Sequence, residues 1–420
     1  MTKIGFSRAD ILVPRQDLLK KWCVVACDQY TSEPAYWEEV AKNTEGIPSA
    51  FHITFPEIYL KDDNADERIS LINRTMKKYL KKNIFTEYKQ SYIYTERTLE
   101  SGAVRAGIIG ALDLEEYDFR EGSETLVRAT EGTVVERIPP RVKIRKNASI
   151  ESPHIMVLVD DPDGSVIEPL AEKKNALKKV YSTDLMLKGG KVEGWLIDDN
   201  ESERIEAALS KLADPETFEK KYNTKNKGVL LFAMGDGNHS LATAKQCYEN
   251  LKAEIGNEAA ASHPARYALV EVVNLHSKAL VFEPIHRVLF GADTEDLVRE
   301  MTEALGLIEG DGEQTFTYII NTEPHTVSIT KPTSKLCVGS LQNFLDAYTA
   351  AHGGEVDYIH GKTVVRVHSK KPENVGFILP EVYKSDLFPT VIEDGALPRK
   401  TFSMGEAWDK RYYLECRRIK

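Results

Sequence analysis

Apolar residues recur along this chain at two spacings, and the switches between them mark its elements. Dry runs at residues 22–27, 155–159, 229–234 and 265–274 predict buried strands. Residues 92–95 and 104–112 alternate or run apolar around Ser101-Gly102, which predicts a hairpin. Residues 51–55, 126–138, 142–144, 281–288 and 376–379 read as further strands. Over residues 65–84, Ile69, Ile72, Met76 and Leu80 fall on one helical face. Another helix carries Tyr36, Trp37 and Val40 behind Pro34, a residue suited to a first turn. Residues 168–227 are charged and helical in pattern, with a hairpin around 187–195. Residues 293–353 show their own succession: helix 294–305, strands 315–320 and 325–330, helix 340–351.

This mixture predicts an α+β protein with a mixed sheet and a smaller α+β lobe. The expected divisions are 1–167, a helical insertion at 168–227, a central region at 228–292, the lobe at 293–370, and a return to the main body at 371–420.

The central region holds the stretch with the clearest chemistry. A dry strand at 229–234 runs into Gly235-Asp-Gly-Asn-His-Ser240, and a helix follows from His239 with Leu241, Ala244, Tyr248, Leu251 and Ile255 on one face. Asp236 or Asn238 is the expected cap of its first turn. A glycine turn at a helix start aims backbone N–H groups at one point, where an anion can sit. Asp236, His239 and Ser240 add an acceptor, a titratable ring and a hydroxyl there.

Composition narrows the class. The chain has 420 residues, enough for two or three domains, and 42% hydrophobic and 29% charged residues, as in ordinary globular proteins. Nothing approaches eighteen consecutive apolar residues, and the N-terminus lacks the apolar core of a signal peptide, so the expected location is the cytoplasm. Five cysteines without a paired C-x-x-C pattern exclude a disulfide framework; Cys23 and Cys27 read as buried small hydrophobes. A formal net charge of −10 disfavours nucleic acid as a partner.

Against that acidity, Arg128, Arg137, Arg141 and Arg145 are concentrated in one segment. As a strand, 137–145 would put Arg137, Arg141, Lys143 and Arg145 on one face. Two readings stand: a clamp for phosphate or carboxylate, or a solvated strand paired with Glu131 and Glu136. Glu283-Pro-Ile-His286-Arg287 reads either as an anion or acid–base site or as a core-bonded histidine beside a surface arginine, and Leu397-Pro-Arg399-Lys400-Thr-Phe-Ser403 either as a second basic turn suited to anions or as a solvated tail. Asp28, closing the first dry run, and Glu131 are the carboxylates expected to act as a base or to bind Mg²⁺.

Ala9-Asp-Ile-Leu-Val-Pro14, Trp22-Cys-Val-Val-Ala-Cys-Asp-Gln-Tyr30, Arg128-Ala-Thr-Glu-Gly-Thr133, Gly235-Asp-Gly-Asn-His-Ser240, Phe282-Glu-Pro-Ile-His-Arg287 and Leu397-Pro-Arg-Lys-Thr-Phe402 together resemble the bacterial and archaeal "domain of unknown function 1015" family over nearly the whole length. The turn is also similar to the Asp-Gly-His-His-Arg turn of free-serine kinases with a ParB/sulfiredoxin-like fold. Asp236, Gly237 and His239 match it; Asn238 and Ser240 depart from it. The resemblance implies a partly ParB/sulfiredoxin-like body, a phosphorylated small molecule or nucleotide as ligand, Mg²⁺ as a candidate cofactor, and a link to serine metabolism. It replaces the kinase turn's arginine by Ser240, so counter-charge for a phosphate must come from Arg128, Arg141, Arg287 or Lys400.

Two functions follow as expectations. In the first, a phosphotransferase or phosphatase uses His239, Asp236 and Glu131 for catalysis. Gly235, Gly237, Asn238, Ser240, Arg128, Arg141, His286, Arg287, Arg399 and Lys400 then hold substrate or phosphate, and Asp28 holds a metal. In the second, the same pocket serves a nucleotide-binding regulator without turnover.

Overall fold

A computed structural model describes residues 2–120, 122–133 and 138–420. The chain divides into two compact units, Met1–Leu280 with Glu406–Lys420, and Val281–Gly405.

The first unit is built on strands β1 (Phe6–Ser7), β2 (Ile93–Thr98), β3 (Val104–Asp113), β4 (Tyr117–Asp118), β5 (Val127–Arg128), β6 (Met156–Val159), β7 (Lys178–Asp184), β8 (Lys191–Leu196), β9 (Phe232–Asp236) and β10 (Tyr267–Asn274). The described residues form one ten-stranded sheet in the order β7-β8-β2-β3-β10-β6-β9-β5-β4, with β1 added to β3. Pairing is parallel at β6–β10, β9–β5 and β4–β5 and antiparallel elsewhere, so the sheet is mixed and the class is α+β, as the sequence pattern implied.

Side chains alternate across this sheet because a strand's period is two. Ile108, Leu112, Val270 and Val272 enter one core with Val157 and Phe232, while Ile109 and Leu269 enter the other with Trp22 and Trp37. Both faces are covered, which explains the near-continuous apolar reading of β3 and β10. β3 carries glycines where neighbours need the space. A Cβ on Gly110 would lie 2.4 Å from the Phe6 ring, and one on Gly107 2.8 Å from the Glu271 carboxylate.

That carboxylate is the polar exception in β10, and the C-terminal segment is anchored to it. Arg411 is buried and donates to Glu271 Oε2 (2.7 Å), Glu415 Oε2 (2.6 Å) and the Pro153 carbonyl (2.5 Å). Arg97 of β2 and Arg105 of β3 stand opposite each other and donate to the carbonyls of Trp408, Lys410 and Asp409. Beyond Arg411, Tyr412–Tyr413 pairs with Val24–Val25, and Arg417–Arg418 pairs with Ile150–Glu151.

Four helices of this unit matter below: α1 (Pro34–Thr44), α2 (Ala65–Lys81), α3 (Ile138–Arg145) and α4 (Asn238–Ile255). α1 and α2 occur where the spacing placed them, burying Trp37 and Val40, and Ile72 and Met76. α3 corrects the expectation of strands over 126–138 and 142–144. In the described part only Val127–Arg128 is a strand, and 138–145 is helical. Pro139 and Pro140 fall in its first turn, where a missing N–H leaves no bond broken. Helical spacing keeps Arg141 and Arg145, four residues apart, on one face and turns Lys143 away from them. Arg141 pairs with Glu57, Lys143 with Asp66 and Arg145 with Glu151; Arg137 lies outside the described residues. Residues 51–55 are likewise not a strand: Ser49 caps a 3₁₀ turn at Ala50–Ile53. Within 168–227, β7 and β8 form a hairpin on the sheet edge, and Asp199–Leu212 and Pro215–Tyr222 are helices.

The second unit surrounds a sheet containing β11 (Phe282–Phe290), β12 (Thr315–Ile320), β13 (Glu323–Ile329), β14 (Glu355–His360) and β15 (Asn374–Ile378). Helices α5 (Thr294–Leu305) and α6 (Cys337–His352) cover it through Leu297, Met301, Leu341 and Leu345. No described helix in either unit is long and apolar enough to cross a membrane. All five cysteines are free thiols.

Two measurements test the buried ion network. Glu271→Ala leaves the guanidinium of Arg105 buried without its carboxylate and that of Arg411 with Glu415 alone, and urea unfolding should show a loss of about 3–5 kcal/mol. Burial alone would push the Glu271 and Glu151 carboxyls up, but the adjacent arginines outweigh it and hold both below the ordinary carboxylate range. Their folded values are depressed, so their stabilisation is complete above the unfolded value of about 4.3 and is lost as pH falls through the folded ones. Midpoints of urea unfolding recorded from pH 7 to pH 3 should therefore fall mainly below about pH 4.3, and the Glu271→Ala protein should show a shallower fall.

Candidate functional site

The strand–turn–helix at the centre of the sequence forms, with tighter boundaries than the pattern suggested. β9 runs through Gly235 and Asp236, and the turn is reduced to Gly237. Gly237 has φ +83° and is the cap of α4, so neither Asp236 nor Asn238 caps the helix as expected. Asp236 instead accepts the N–H of Gly237 (2.9 Å). A glycine cap has no side chain with which to bond the N–H groups of the first turn, which include those of Asn238, His239 and Ser240. It is glycine for two reasons. The left-handed backbone favours it, and a Cβ would lie 3.1 Å from Ile155 Cα.

Three neighbouring segments converge on this helix start. β5 runs parallel to β9, and Thr130 just beyond it donates to the Met234 carbonyl (2.8 Å), which sets Glu131 beside the end of β9. The loop before β6 supplies His154, whose Nε2 lies 3.5 Å from Ser240 Oγ and 3.7 Å from Asp28 Oδ2. The C-terminal segment supplies Tyr413, whose oxygen lies 2.9 Å from His154 Nδ1 and accepts the Cys27 N–H (3.1 Å). It also supplies Lys410, 3.7 Å from Asp236. Burial pushes the Asp28 carboxyl up, but His154, the Gln29 amide and Lys410 together hold it below the ordinary range. Burial, with Asp28 adjacent, pushes the Cys27 thiol up to about 12, so it is neutral at physiological pH.

Beside this group is a cavity of about 150 Å³. Ser240, His154, Tyr413 and Cys27 form one side of its wall, and Arg141, Arg145, Glu57 and Glu151 contribute charged groups. Phe55, Ile53, Met76 and Ile144 make the rest largely apolar.

The residues expected from sequence fall into three groups. Gly235, Asp236, Gly237, Asn238, His239, Ser240 and Asp28 belong to the helix start and its surroundings. Arg128 and Arg141 belong to the same unit, but their guanidiniums have protein partners. Arg128 is buried and donates to the carbonyls of Thr125 (2.9 Å) and Gly228 (2.5 Å), so it fastens its own loop; Arg141 pairs with Glu57 in the cavity wall. His286, Arg287, Arg399 and Lys400 belong to the second unit. His286 Nδ1 accepts the Leu379 N–H, and burial, with Lys362, Arg287 and His360 near, pushes the ring down to about 4, leaving it neutral at pH 7. Arg287 is buried and donates to Gln342 Oε1 and to the carbonyls of Ile285 and Arg399. Arg399 and Lys400 are exposed, with Arg399 Nε donating to the Tyr358 hydroxyl (2.9 Å). Among the described residues no three His, Cys, Asp or Glu side chains are grouped to hold a metal, so Asp28 has no ready partners for one.

Sequence reasoning passed over His154, Tyr413 and Lys410. The one available signal was Pro153-His154 immediately before a dry strand, since a ring at the entrance of a buried strand is held in place.

The first unit is thus a mixed α+β scaffold in which α4 starts at a glycine cap, and His154 and Ser240 stand in the wall of a cavity. The chain belongs to the family described as "Protein of unknown function (DUF1015)", whose pattern matches residues 9–348. No curated protein matches the chain. Among solved structures it is similar to a conserved hypothetical protein from Pyrococcus furiosus (11% identity, 72% of this chain and 92% of that one, TM-score 0.36). A free serine kinase in complex with AMP gives 11% identity, 72% and 90% coverage and a TM-score of 0.38. SbnI from Staphylococcus aureus gives 10%, 71% and 82%, and 0.36.

The geometry of the turn can be tested directly. Gly237→Ala places a Cβ in a left-handed backbone and against Ile155, and should cost about 1–2 kcal/mol in urea unfolding. An unchanged midpoint would show that the turn relaxes to another conformation.

Proposed function

We propose that the first unit binds a small phosphorylated metabolite at the start of α4 and acts as a phosphotransferase or phosphatase. One observation carries this reading: α4 begins at a glycine with no side-chain cap, and Lys410, His154 and Ser240 surround that start beside a cavity. An uncapped helix start favours an anion, and a lysine adds charge that backbone dipoles alone do not supply. Phosphoryl transfer needs mainly positioning and charge neutralisation, which this set of groups provides.

In this reading Gly235, Gly237, Asn238 and Ser240 hold the phosphate, with Lys410 as counter-charge. Asp236, Glu131, His239 and His154 are the candidates for proton transfer. Mg²⁺ usually keeps several waters and takes one or two carboxylates, a role open to Asp28 and Asp236 when substrate phosphate completes the shell. The cavity volume of about 150 Å³ lies below the roughly 300–1,000 Å³ of pockets that enclose drug-sized ligands, which favours a small metabolite over a whole nucleotide. The resemblance of the turn to that of free-serine kinases makes phosphoserine the first compound to try.

The test is a thermal-shift series with inorganic phosphate, phosphoserine, AMP and ATP, each with and without Mg²⁺, followed by phosphate-release assays. A ligand present at a hundred times its dissociation constant stabilises the native state by about 2.7 kcal/mol, a rise of several degrees in Tm. Phosphoserine or a similar small phosphomonoester should give that rise and release phosphate. A rise with nucleotide alone, without turnover, would favour the regulator; no rise with any phosphorylated compound would refute the site.

A further inference from the structure

We propose that Ser240 is a nucleophile activated by His154, and that it takes up the transferred phosphoryl group. The identity of that group rests on the function proposed above, whereas the nucleophile–base pair rests on geometry. His154 is 3% exposed, so its ring is held in a dry setting. Nε2 stands 3.5 Å from Ser240 Oγ, a separation usual for catalytic hydrogen bonds before substrate tightens them. Nδ1 stands 2.9 Å from the Tyr413 oxygen, which also accepts the Cys27 N–H (3.1 Å). In the tautomer that donates from Nδ1 to that oxygen, Nε2 turns its lone pair to Ser240. Asp28, 3.7 Å from the same Nε2, favours the imidazolium that forms when the serine proton arrives. Ser240 lies in the first turn of α4, whose positive end favours the developing negative charge. A base, a third group orienting it, and a hydroxyl in a cavity wall are the parts that nucleophilic catalysis requires.

The step balances within these groups. Ser240 Oγ attacks the phosphorus of a phosphomonoester; the new O–P bond forms as the bond to the substrate oxygen breaks. The serine proton passes to His154 Nε2 and from there to the departing oxygen, releasing an alcohol. Water, or an acceptor hydroxyl, then attacks the phosphoserine, gives its proton to His154, and leaves with the phosphoryl group while Ser240 recovers the proton.

The experiment treats the full chain with a fluorophosphonate, which phosphonylates an activated serine and expels fluoride, and maps the adduct by peptide mass spectrometry. The adduct should sit on Ser240, be absent from Ser240→Ala, and form at least tenfold more slowly in His154→Gln. In the unmodified protein the labelling rate should rise with pH through an imidazole titration, a readout that does not depend on any variant folding. No adduct on Ser240, or labelling of His154→Gln at the original rate and pH dependence, would overturn the proposal. Labelling without phosphate release from any phosphomonoester would support the nucleophile and reject phosphoryl transfer. Phosphate release without labelling would reject the nucleophile and leave the proposed function standing.

Discussion

The buried guanidinium of Arg411 is the constraint on which the first unit's site depends. Its donors reach Glu271 on the central strand, Glu415 further along its own segment, and the carbonyl of Pro153. The last of these fixes the backbone next to His154. The following residues, Tyr412 and Tyr413, pair with Val24–Val25 and bring the Tyr413 hydroxyl to Cys27 and to His154. The preceding residue, Lys410, lies beside Asp236. One ion-paired side chain therefore locates His154, Tyr413 and Lys410 around the α4 start. A buried arginine is expensive to desolvate and adds little net stability over an apolar replacement. Its directional bonds give this one a different value, since each fixes a segment that carries a functional group.

The chemistry of the site follows from what that constraint brings together. In the proposed function, the uncapped helix N–H groups and Lys410 hold the anion and the imidazole between Asp28, Ser240 and Tyr413 moves the proton. Arg128, Arg141 and Arg287, the obvious basic residues, already bond to carbonyls or a carboxylate within the protein. Their work in this structure is to hold loops and walls. In the proposed function the counter-charge at the helix start is Lys410, which lies 3.7 Å from Asp236.

Much of the fold was legible because packing enforces period. β3, β9, β10, α2 and α5 lie close to where apolar spacing put them, since each buries a face that cannot be polar. α3 was misread because alternating basic and apolar residues over 137–145 satisfy a strand period, and two prolines look like an interruption. In the first turn of a helix they are tolerated, and the basic residues then point to three different carboxylates. At the site, the glycine turn announced itself, since Gly237 must adopt a left-handed angle. His154, Tyr413 and Lys410 did not, because their importance lies in pairing between distant segments, His154 with Tyr413 and Lys410 with Asp236, which no local pattern records.

The central claim is that the α4 start is an anion site built from Ser240, His154 and Lys410. A crystal of the full chain soaked in tungstate or vanadate, stand-ins for a phosphoryl group, tests it most directly. The account predicts an oxyanion at the first turn of α4, within hydrogen-bond distance of Ser240 Oγ and His154 Nε2. An oxyanion found only at Arg399 and Lys400, or none in the first unit, would contradict it.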